Sequence, residues 1–240
     1  MKYISSVEAK EKDIAYHKIE GMVPWTIADG TYEHILTTYL QNPPYTATLD
    51  IGCGSGAALL SEPDYFKKMY GADIVSYLSD EAKKRIEFLK IDINFERIPL
   101  PDSSVDFVCA FQTIEHLENP FFIMREAKRI LKPGGIFTFS VPSPYNITFR
   151  AKYFLTGNMP PWTRDNNHLL FLTRSTLEKT YATEFELVET IYQTGSLPFW
   201  GRIASLLRHI TGKKFKKHLK VLPRSEWFGR RVCYVLKKSA

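Results

Sequence analysis

Three glycines at alternate positions form the part of the sequence best suited to hold a ligand. Gly52, Gly54 and Gly56 follow the short apolar run Leu49-Asp50-Ile51. Glycine adopts conformations closed to other residues and lets a bound molecule approach the backbone closely. In open parallel sheets, ligands bind beyond the carboxyl ends of the strands, where a turn of this kind lies. The pattern therefore predicts a ligand-binding turn between a strand and a helix.

The spacing separates this turn from two other glycine motifs. A dinucleotide fingerprint places its third glycine one residue later, and a phosphate-binding loop requires a Gly-Lys-Ser/Thr sequence that is absent here. Asp50, directly before the first glycine, suits an amino group better than a phosphate. A nicotinamide-dependent oxidoreductase and a plain structural turn remain as alternatives, although three entropically costly glycines argue against the second.

Strand and helix patterns alternate around the turn. Strands are predicted at residues 47–51, 73–77, 88–91, 105–111, 136–141, 186–191 and 231–237. Helices are predicted at residues 35–40, 57–69, 119–131 and 173–182, with a further helix that starts at residues 79–81. This alternation is typical of an α/β fold with a mostly parallel sheet and helices on both faces.

The chain of 240 residues is expected to form a single domain. Residues 1–44 are predicted to be a helical lead-in, because Pro43 and Pro44 end the preceding helix pattern. Residues 142–172 and 194–230 show little periodicity and are predicted to be irregular insertions that form a lid on the acceptor side.

Charge is distributed unevenly along the chain. The net charge is +6, but residues 201–240 hold twelve Lys or Arg side chains and one acid. Residues 200–220 combine an apolar helical face with lysines, which fits either an anionic membrane surface or packing on the domain. We expect no nucleic-acid partner, because no recognised module is present. The sequence leaves the oligomeric state open.

No stretch is apolar enough for a membrane span, and no secretory signal is visible, so we expect a cytoplasmic protein, with peripheral membrane attachment as an alternative. Three cysteines without metal-ligand spacing are expected to be reduced thiols.

Four segments in register resemble the class I S-adenosylmethionine-dependent methyltransferases, and their order is similar to the type 11 small-molecule branch. They are Asp50–Gly56, Ile98–Val108, Gln112–Pro120 and Arg129–Gly135, and the later stretch His168–Leu177 also looks like that branch. The resemblance implies a Rossmann-like, seven-stranded, mostly parallel sheet with an antiparallel last strand. It also implies an enzyme whose cofactor is S-adenosylmethionine.

The same resemblance implies a set of cofactor-binding residues. The methionine part would lie against Asp50, Gly52, Cys53, Gly54 and Gly56, the adenine beside Asp92 and Ile93, and the sulfonium beside Ala110, Phe111 and Gln112. The family usually has an acid at the end of strand two to hold the ribose. The predicted register places Tyr77 there, with Asp73 too early and Asp80 too late. A phenol is a poorer partner for two hydroxyls than a carboxylate.

Methyl transfer to oxygen or nitrogen also requires loss of a proton, so a base near neutral pKa is useful. His116 follows strand four and His168 lies in the predicted lid, and both are candidate bases. Glu115 and His116 alone are too small a cluster for a metal site, and we expect none.

The acceptor is predicted to be a small molecule or a glycan that is methylated on oxygen. The stretch 142–150, followed by residues 153–157, resembles methyltransferases found with bacterial cell-surface polysaccharide enzymes. The alternative is a non-catalytic S-adenosylmethionine-binding module of the same fold.

Overall fold

A computed structural model describes residues 24–162, 168–169, 172–181, 185–193, 209 and 224–239. Its centre is a seven-stranded sheet in the order β3-β2-β1-β4-β5-β7-β6. The first five strands in the chain pair in parallel, and β7 is antiparallel to both of its neighbours. The strands are β1 (Tyr45–Ile51), β2 (Phe66–Asp73), β3 (Ile86–Lys90), β4 (Val105–Phe111), β5 (Leu131–Pro142), β6 (Glu186–Tyr192) and β7 (Arg231–Lys237). The predicted fold class is confirmed.

Helices cover both faces of this sheet. They are α1 (Trp25–Ala28), α2 (Thr31–Tyr39), α3 (Ala57–Ser61), α4 (Ala82–Arg85), α5 (Pro120–Ile130), α6 (Ile147–Thr156) and α7 (Arg174–Tyr181), with 3₁₀ turns at Pro63–Tyr65 and Ile114–His116. The α5 helix shows why local sequence sets these bounds. Asn119 caps it by accepting from the Phe122 N–H, and Pro120 occupies its first turn. Its buried face then packs on the sheet.

The core lies on both sides of the strands. One cluster packs the α5 face, and a second packs α2 and α4 against the opposite face. Val105, Phe107, Val108, Cys109 and Ala110 of β4 are all completely buried. A central parallel strand covered on both faces requires such a continuous apolar run. The carboxyl end of β4 is thereby fixed next to that of β1.

The second strand was predicted in the wrong place. Residues 66–73 form β2, whereas the sequence predicted a helix to residue 69 and a strand over residues 73–77. The α3 helix ends at Ser61, two residues before Pro63. The following residues pair in parallel with β1, from Tyr45 opposite Phe66 to Ile51 opposite Ala72. Tertiary pairing therefore overrides the helical appearance of this segment.

The segment 142–172 was predicted to be irregular, and this is also wrong in part because it contains α6. The Asn146 side chain caps that helix by accepting from the N–H groups of Thr148 and Phe149. Phe149 is its one buried residue, whereas Tyr153, Phe154 and Leu155 are exposed. The helix has almost no buried face, so the usual amphipathic signal is missing from its sequence.

Several predictions concern residues outside the described part of the chain. These are most of the lead-in (residues 1–23), the basic segment 200–220 apart from residue 209, and most of the insertion 194–230. Among the described residues, no helix combines the length and apolar character needed to span a bilayer.

Arg129 is expected to be a major source of stability for the α5 side of the sheet. Its guanidinium pairs with Glu126 and Asp102 and donates to the backbone carbonyls of Ile98 and Leu100, all at 2.7–2.9 Å. Replacement of Arg129 by Met should lower the free energy of unfolding by about 3 kcal/mol, because it removes the cation paired with the buried Glu126 carboxylate and a donor to two backbone carbonyls. Urea denaturation measures this.

Arg174 supplies the matched control, since it pairs with Glu178 in an exposed i,i+4 contact on α7. The Arg174→Met variant should change the free energy of unfolding by about 0.5 kcal/mol or less. Equal losses in the two variants would contradict the role given to Arg129.

Candidate cofactor and acceptor site

The glycine turn leaves β1 with all three glycines at positive φ: 71° at Gly52, 48° at Gly54 and 78° at Gly56. A Cβ atom at Gly52 would lie 2.3 Å from the Thr113 Oγ1, and one at Gly56 would lie 2.8 Å from the Ile86 Cδ1. A Cβ at Gly54 would meet nothing within 4 Å. Two of the glycines are therefore required by packing, and the third faces open space where a ligand can approach the backbone.

Asp50 and Cys53 lie beneath this turn. Asp50 is only 4% exposed, and its burial is the largest cause that raises the pKa of its carboxyl to about 7. A hydrogen bond from Cys109 opposes this rise, and the nearby Asp73 carboxylate adds to it. A carboxylate poised in this way is well suited to hold a ligand ammonium group. Burial raises the pKa of the Cys53 thiol, so Cys53 contributes its backbone and not a thiolate.

Asp73 lies at the glycine turn. It ends β2, and its Oδ2 accepts from the Gly54 N–H at 3.3 Å. From the sequence Asp73 came too early to end the second strand, because that strand was predicted over residues 73–77, whereas β2 spans Phe66–Asp73. Tyr77 lies instead in the loop after β2, which contacts the turn through the Ser79 N–H and the Ser55 carbonyl.

Asp92 and Ile93 follow β3, as expected. The Asp92 Oδ1 accepts from the Asn94 N–H at 3.0 Å. Its Oδ2 is buried and has no hydrogen-bond partner in the described part of the chain. Such an oxygen can accept from an amino group of a bound base. Ile93 packs against the main core cluster and gives the same place an apolar wall.

Ala110, Phe111 and Gln112 end β4 on the other side of the turn. Ala110 is buried, and Phe111 makes an edge contact with the Tyr32 ring. Gln112 has a φ of 55°, which is uncommon for a residue other than glycine. Its conformation is held by hydrogen bonds from its N–H to the Ser140 carbonyl at 3.0 Å and from the Arg231 Nε to its Oε1 at 2.7 Å. A strained residue held in this way is typical of a ligand-binding loop.

The next 3₁₀ turn brings the two candidate histidines together. The centroids of the His116 and His168 rings are 4.7 Å apart, and the Leu169 N–H donates to the Glu115 carbonyl at 2.8 Å. Burial lowers the pKa of His168, and Arg231 adds to this effect, whereas a hydrogen bond to the Pro161 carbonyl opposes it. His168 is therefore neutral at pH 7 and able to accept a proton or bind a cation.

Glu115 joins the histidines and was missed as a member of this group. One ligand atom from each of Glu115, His116 and His168 lies within 4.8 Å of the others. Burial is the largest cause that raises the pKa of Glu115 to about 8. The adjacent Glu115 and His116 were visible in the sequence, but no local pattern indicated that His168 lies beside them in the fold.

A cleft of about 750 Å³ lies on the α6 side of this group rather than over the glycine turn. It is lined by Pro144, Tyr145, Arg150, Tyr153, Phe154, Gly157, Met159 and Thr173. The Trp162 N–H donates to the Met159 carbonyl, which connects the cleft wall to the segment that holds His168. None of the cofactor-binding residues predicted from the sequence lines this cleft.

Comparison with known proteins agrees with this geometry. A family model described as a methyltransferase domain (type 11) matches residues 49–139, which run from β1 into β5 and include the glycine turn. A solved S-adenosylmethionine-dependent methyltransferase from Archaeoglobus fulgidus superposes with a TM-score of 0.62 at 16% identity, over 95% of this chain and 99% of that chain. At this identity the likeness shows the fold.

Two curated relatives match part of the chain. A protein of Mycolicibacterium smegmatis named "Probable S-adenosylmethionine-dependent methyltransferase" is 38% identical over 104 residues, 42% of this chain. The dimethylglycine N-methyltransferase of Parasynechococcus marenigrum is 26% identical over 125 residues, 49% of this chain. The matches span 39% and 45% of those relatives' own lengths. Over residues 49–139 the chain is therefore similar to methyltransferase domains, and its fold is that of solved S-adenosylmethionine-dependent methyltransferases.

Proposed function

We propose that the protein transfers a methyl group from S-adenosylmethionine to a hydroxyl group of a small-molecule or glycan acceptor. The observation that carries the cofactor assignment is the open space over Gly54, bounded by the carboxylates of Asp50 and Asp73. Together these groups offer a close backbone approach, an acceptor for an ammonium group and an acceptor for ribose hydroxyls. Asp92 and Ile93 would flank the adenine, and residues 110–112 the sulfonium.

The cofactor carries the reactive methyl group, and the protein supplies position and a site shielded from water. We propose that His116 and His168 face the acceptor and favour loss of its proton. The neutral state of His168 supports this role, as does its contact with His116 beside the loop after β4.

The acceptor-side cleft supports a sugar or sugar-phosphate acceptor. Tyr145, Tyr153 and Phe154 offer aromatic faces to a sugar ring, and Arg150 offers a cation to a phosphate. The Arg150 guanidinium lies 5.6 Å from the centroid of the Trp227 ring, which holds it beside the cleft. A polysaccharide-related acceptor, suggested by the sequence resemblance, fits this lining.

Calorimetry with S-adenosylhomocysteine, followed by transfer of labelled methyl from S-adenosylmethionine to sugars, sugar nucleotides and amines, tests the proposal. Binding with methyl incorporation into a hydroxyl acceptor supports it. Absence of binding by folded protein at millimolar ligand overturns the cofactor assignment, and binding without transfer to any acceptor favours the non-catalytic module.

Asp73 and Tyr77 are competing candidates for the ribose. The Asp73→Asn variant should bind S-adenosylhomocysteine about 10- to 100-fold more weakly, because a charged acceptor of the ribose hydroxyls is lost. The Tyr77→Phe variant removes only a phenol hydroxyl and should weaken binding by about tenfold at most. Calorimetry of the two variants ranks them, and a larger loss in Tyr77→Phe would restore the assignment made from sequence.

A further inference from the structure

The group formed by Glu115, His116 and His168 has the donor set of a metal site. It offers one carboxylate and two imidazoles, with one ligand atom from each residue within 4.8 Å of the others. Glu115 is fully buried, and neither of its carboxylate oxygens has a hydrogen-bond partner in the described part of the chain. A buried carboxylate without a partner is costly unless a cation or a proton compensates it.

The distances between the donor atoms favour a cation shared by the three side chains over a direct hydrogen bond between Glu115 and either histidine. The Glu115 oxygens are close to the ring nitrogens, yet they make no hydrogen bond with them. Three atoms that bind the same first-row metal at about 2.0–2.2 Å all lie within about 3.8 Å of one another. The three donors, which lie within 4.8 Å of one another, therefore need to approach by about 1 Å or less to surround one cation.

Outer contacts hold two of the donors in orientation. A backbone carbonyl only accepts, so the hydrogen bond between the His168 Nδ1 and the Pro161 carbonyl places the imidazole proton on Nδ1. The lone pair is then on Nε2. The Leu169 N–H, which donates to the Glu115 carbonyl at 2.8 Å, fixes the two segments together. Metal-binding histidines commonly have such a backbone partner on the second nitrogen.

We propose that Glu115, His116 and His168 bind one first-row divalent cation, with zinc and cobalt as representative ions. Two imidazoles and a carboxylate suit such ions, and three protein ligands leave coordination positions open for an acceptor oxygen. The inference deepens the proposed function, since it assigns to the histidines the role of ligands that activate the acceptor. It differs from the sequence prediction that no metal is bound, which did not place His168 beside Glu115.

The chemistry balances without a further reactant. The cation lowers the pKa of the acceptor hydroxyl, whose proton is lost to solvent. The acceptor oxygen then forms a bond to the methyl carbon as the carbon–sulfur bond breaks, and the electron pair of that bond returns to sulfur. The products are a methyl ether, neutral S-adenosylhomocysteine and one proton.

Titration of untagged, chelator-treated protein with cobalt chloride, followed by visible absorption and calorimetry, tests the site. We expect one cobalt ion per chain, displaced by zinc. Loss of an outer-shell partner usually weakens metal binding about 10- to 100-fold. The Glu115→Gln and His168→Gln variants each lose a direct ligand, so their cobalt binding should weaken by a larger factor. Glu115→Gln keeps the shape of the side chain and carries no charge, so its thermal stability should be preserved.

His34 provides the matched control, because its Nε2 lies 3.1 Å from the Glu189 carboxylate in an exposed pair far along the chain from the proposed ligands. His34→Gln should leave cobalt binding unchanged. The site is overturned if His34→Gln loses as much cobalt affinity as the ligand variants. It is also overturned if the wild type binds cobalt no more strongly than a variant with all three ligands replaced.

Calorimetry with S-adenosylhomocysteine separates the proposed metal site from the proposed methyl transfer. Cobalt binding without S-adenosylhomocysteine binding supports the metal site and refutes the proposed function. Methyl transfer that is unaffected by removal of the metal overturns the role assigned to the cation, whatever its affinity.

Discussion

The Asp50→Asn variant is expected to bind S-adenosylhomocysteine about 100- to 1000-fold more weakly than the wild type. Asp50 is the buried carboxylate under the glycine turn, and removing one partner of a buried charge pair commonly costs 2–5 kcal/mol. Calorimetry at pH 7.5 measures this loss. The same substitution should increase stability at high pH, which a merely damaging mutation would not do.

The sign of that second effect follows from the raised pKa. The pKa of Asp50 is 3.8 in the unfolded chain and about 7 in the folded protein, so folding favours the protonated carboxyl. Its contribution to the free energy of unfolding is therefore full below pH 3.8 and is lost as the pH rises through about 7. The ionised form in the wild type then costs up to about 4 kcal/mol. Asn carries no such penalty, so the stability of the variant relative to the wild type should increase between pH 4 and pH 8.

Asp106 gives the control for Asp50. Its carboxylate pairs with the Lys132 Nζ at 2.7 Å and accepts from the Ala47 N–H at 2.9 Å. The Asp106→Asn variant should be less stable than the wild type and should bind the ligand normally. If Asp50→Asn behaves in the same way, Asp50 is a structural residue and not a ligand for the cofactor.

Replacement of Gly54 by alanine should weaken S-adenosylhomocysteine binding by about 10- to 100-fold. The added Cβ meets no protein atom within 4 Å, so its steric effect falls on a ligand that occupies this space. Inserting a methyl group into a well-packed contact costs about 1–3 kcal/mol. The measurement is again calorimetry, together with denaturation to obtain the free energy of unfolding.

Gly134 separates the steric effect from backbone strain. It also has a positive φ, 74°, and open space around its Cβ position, but it lies in β5, at the irregular stretch between the paired residues Leu131 and Ile136. Both alanine variants should lose about 1–2 kcal/mol of stability from the left-handed conformation. Only Gly54→Ala should lose ligand affinity, and a matching loss in Gly134→Ala would show that strain alone explains the result.

The parts of the fold that the sequence predicted well are those with strong local patterns. The bounds of β4 and β7 agree with the structure because both are short, nearly continuous apolar runs, and α5 agrees because Asn119 and Pro120 mark its start. The second strand was misplaced because residues 66–73 become a strand only by pairing with β1. Such pairing has no local signature.

In the candidate site, too, features with a local sequence pattern were predicted, and features that depend on the fold were missed. The glycine turn was predicted from adjacent residues, and its positive φ angles agree with the prediction. The position of Asp73 beside the glycine turn was missed because it depends on where β2 ends. The association of Glu115 with His168 was missed because the two are 53 positions apart in the chain and meet only through the fold.

The place of β7 has a consequence for how the protein folds during synthesis. In the described part of the chain, β6 joins the sheet only through β7, which lies between it and β5. β6 is therefore translated before residues 231–237, the strand with which it pairs. Arg231, which donates to Gln112, arrives with that strand. A nascent chain that has already formed the glycine turn would thus lack the contact between Arg231 and Gln112 until this late segment docks.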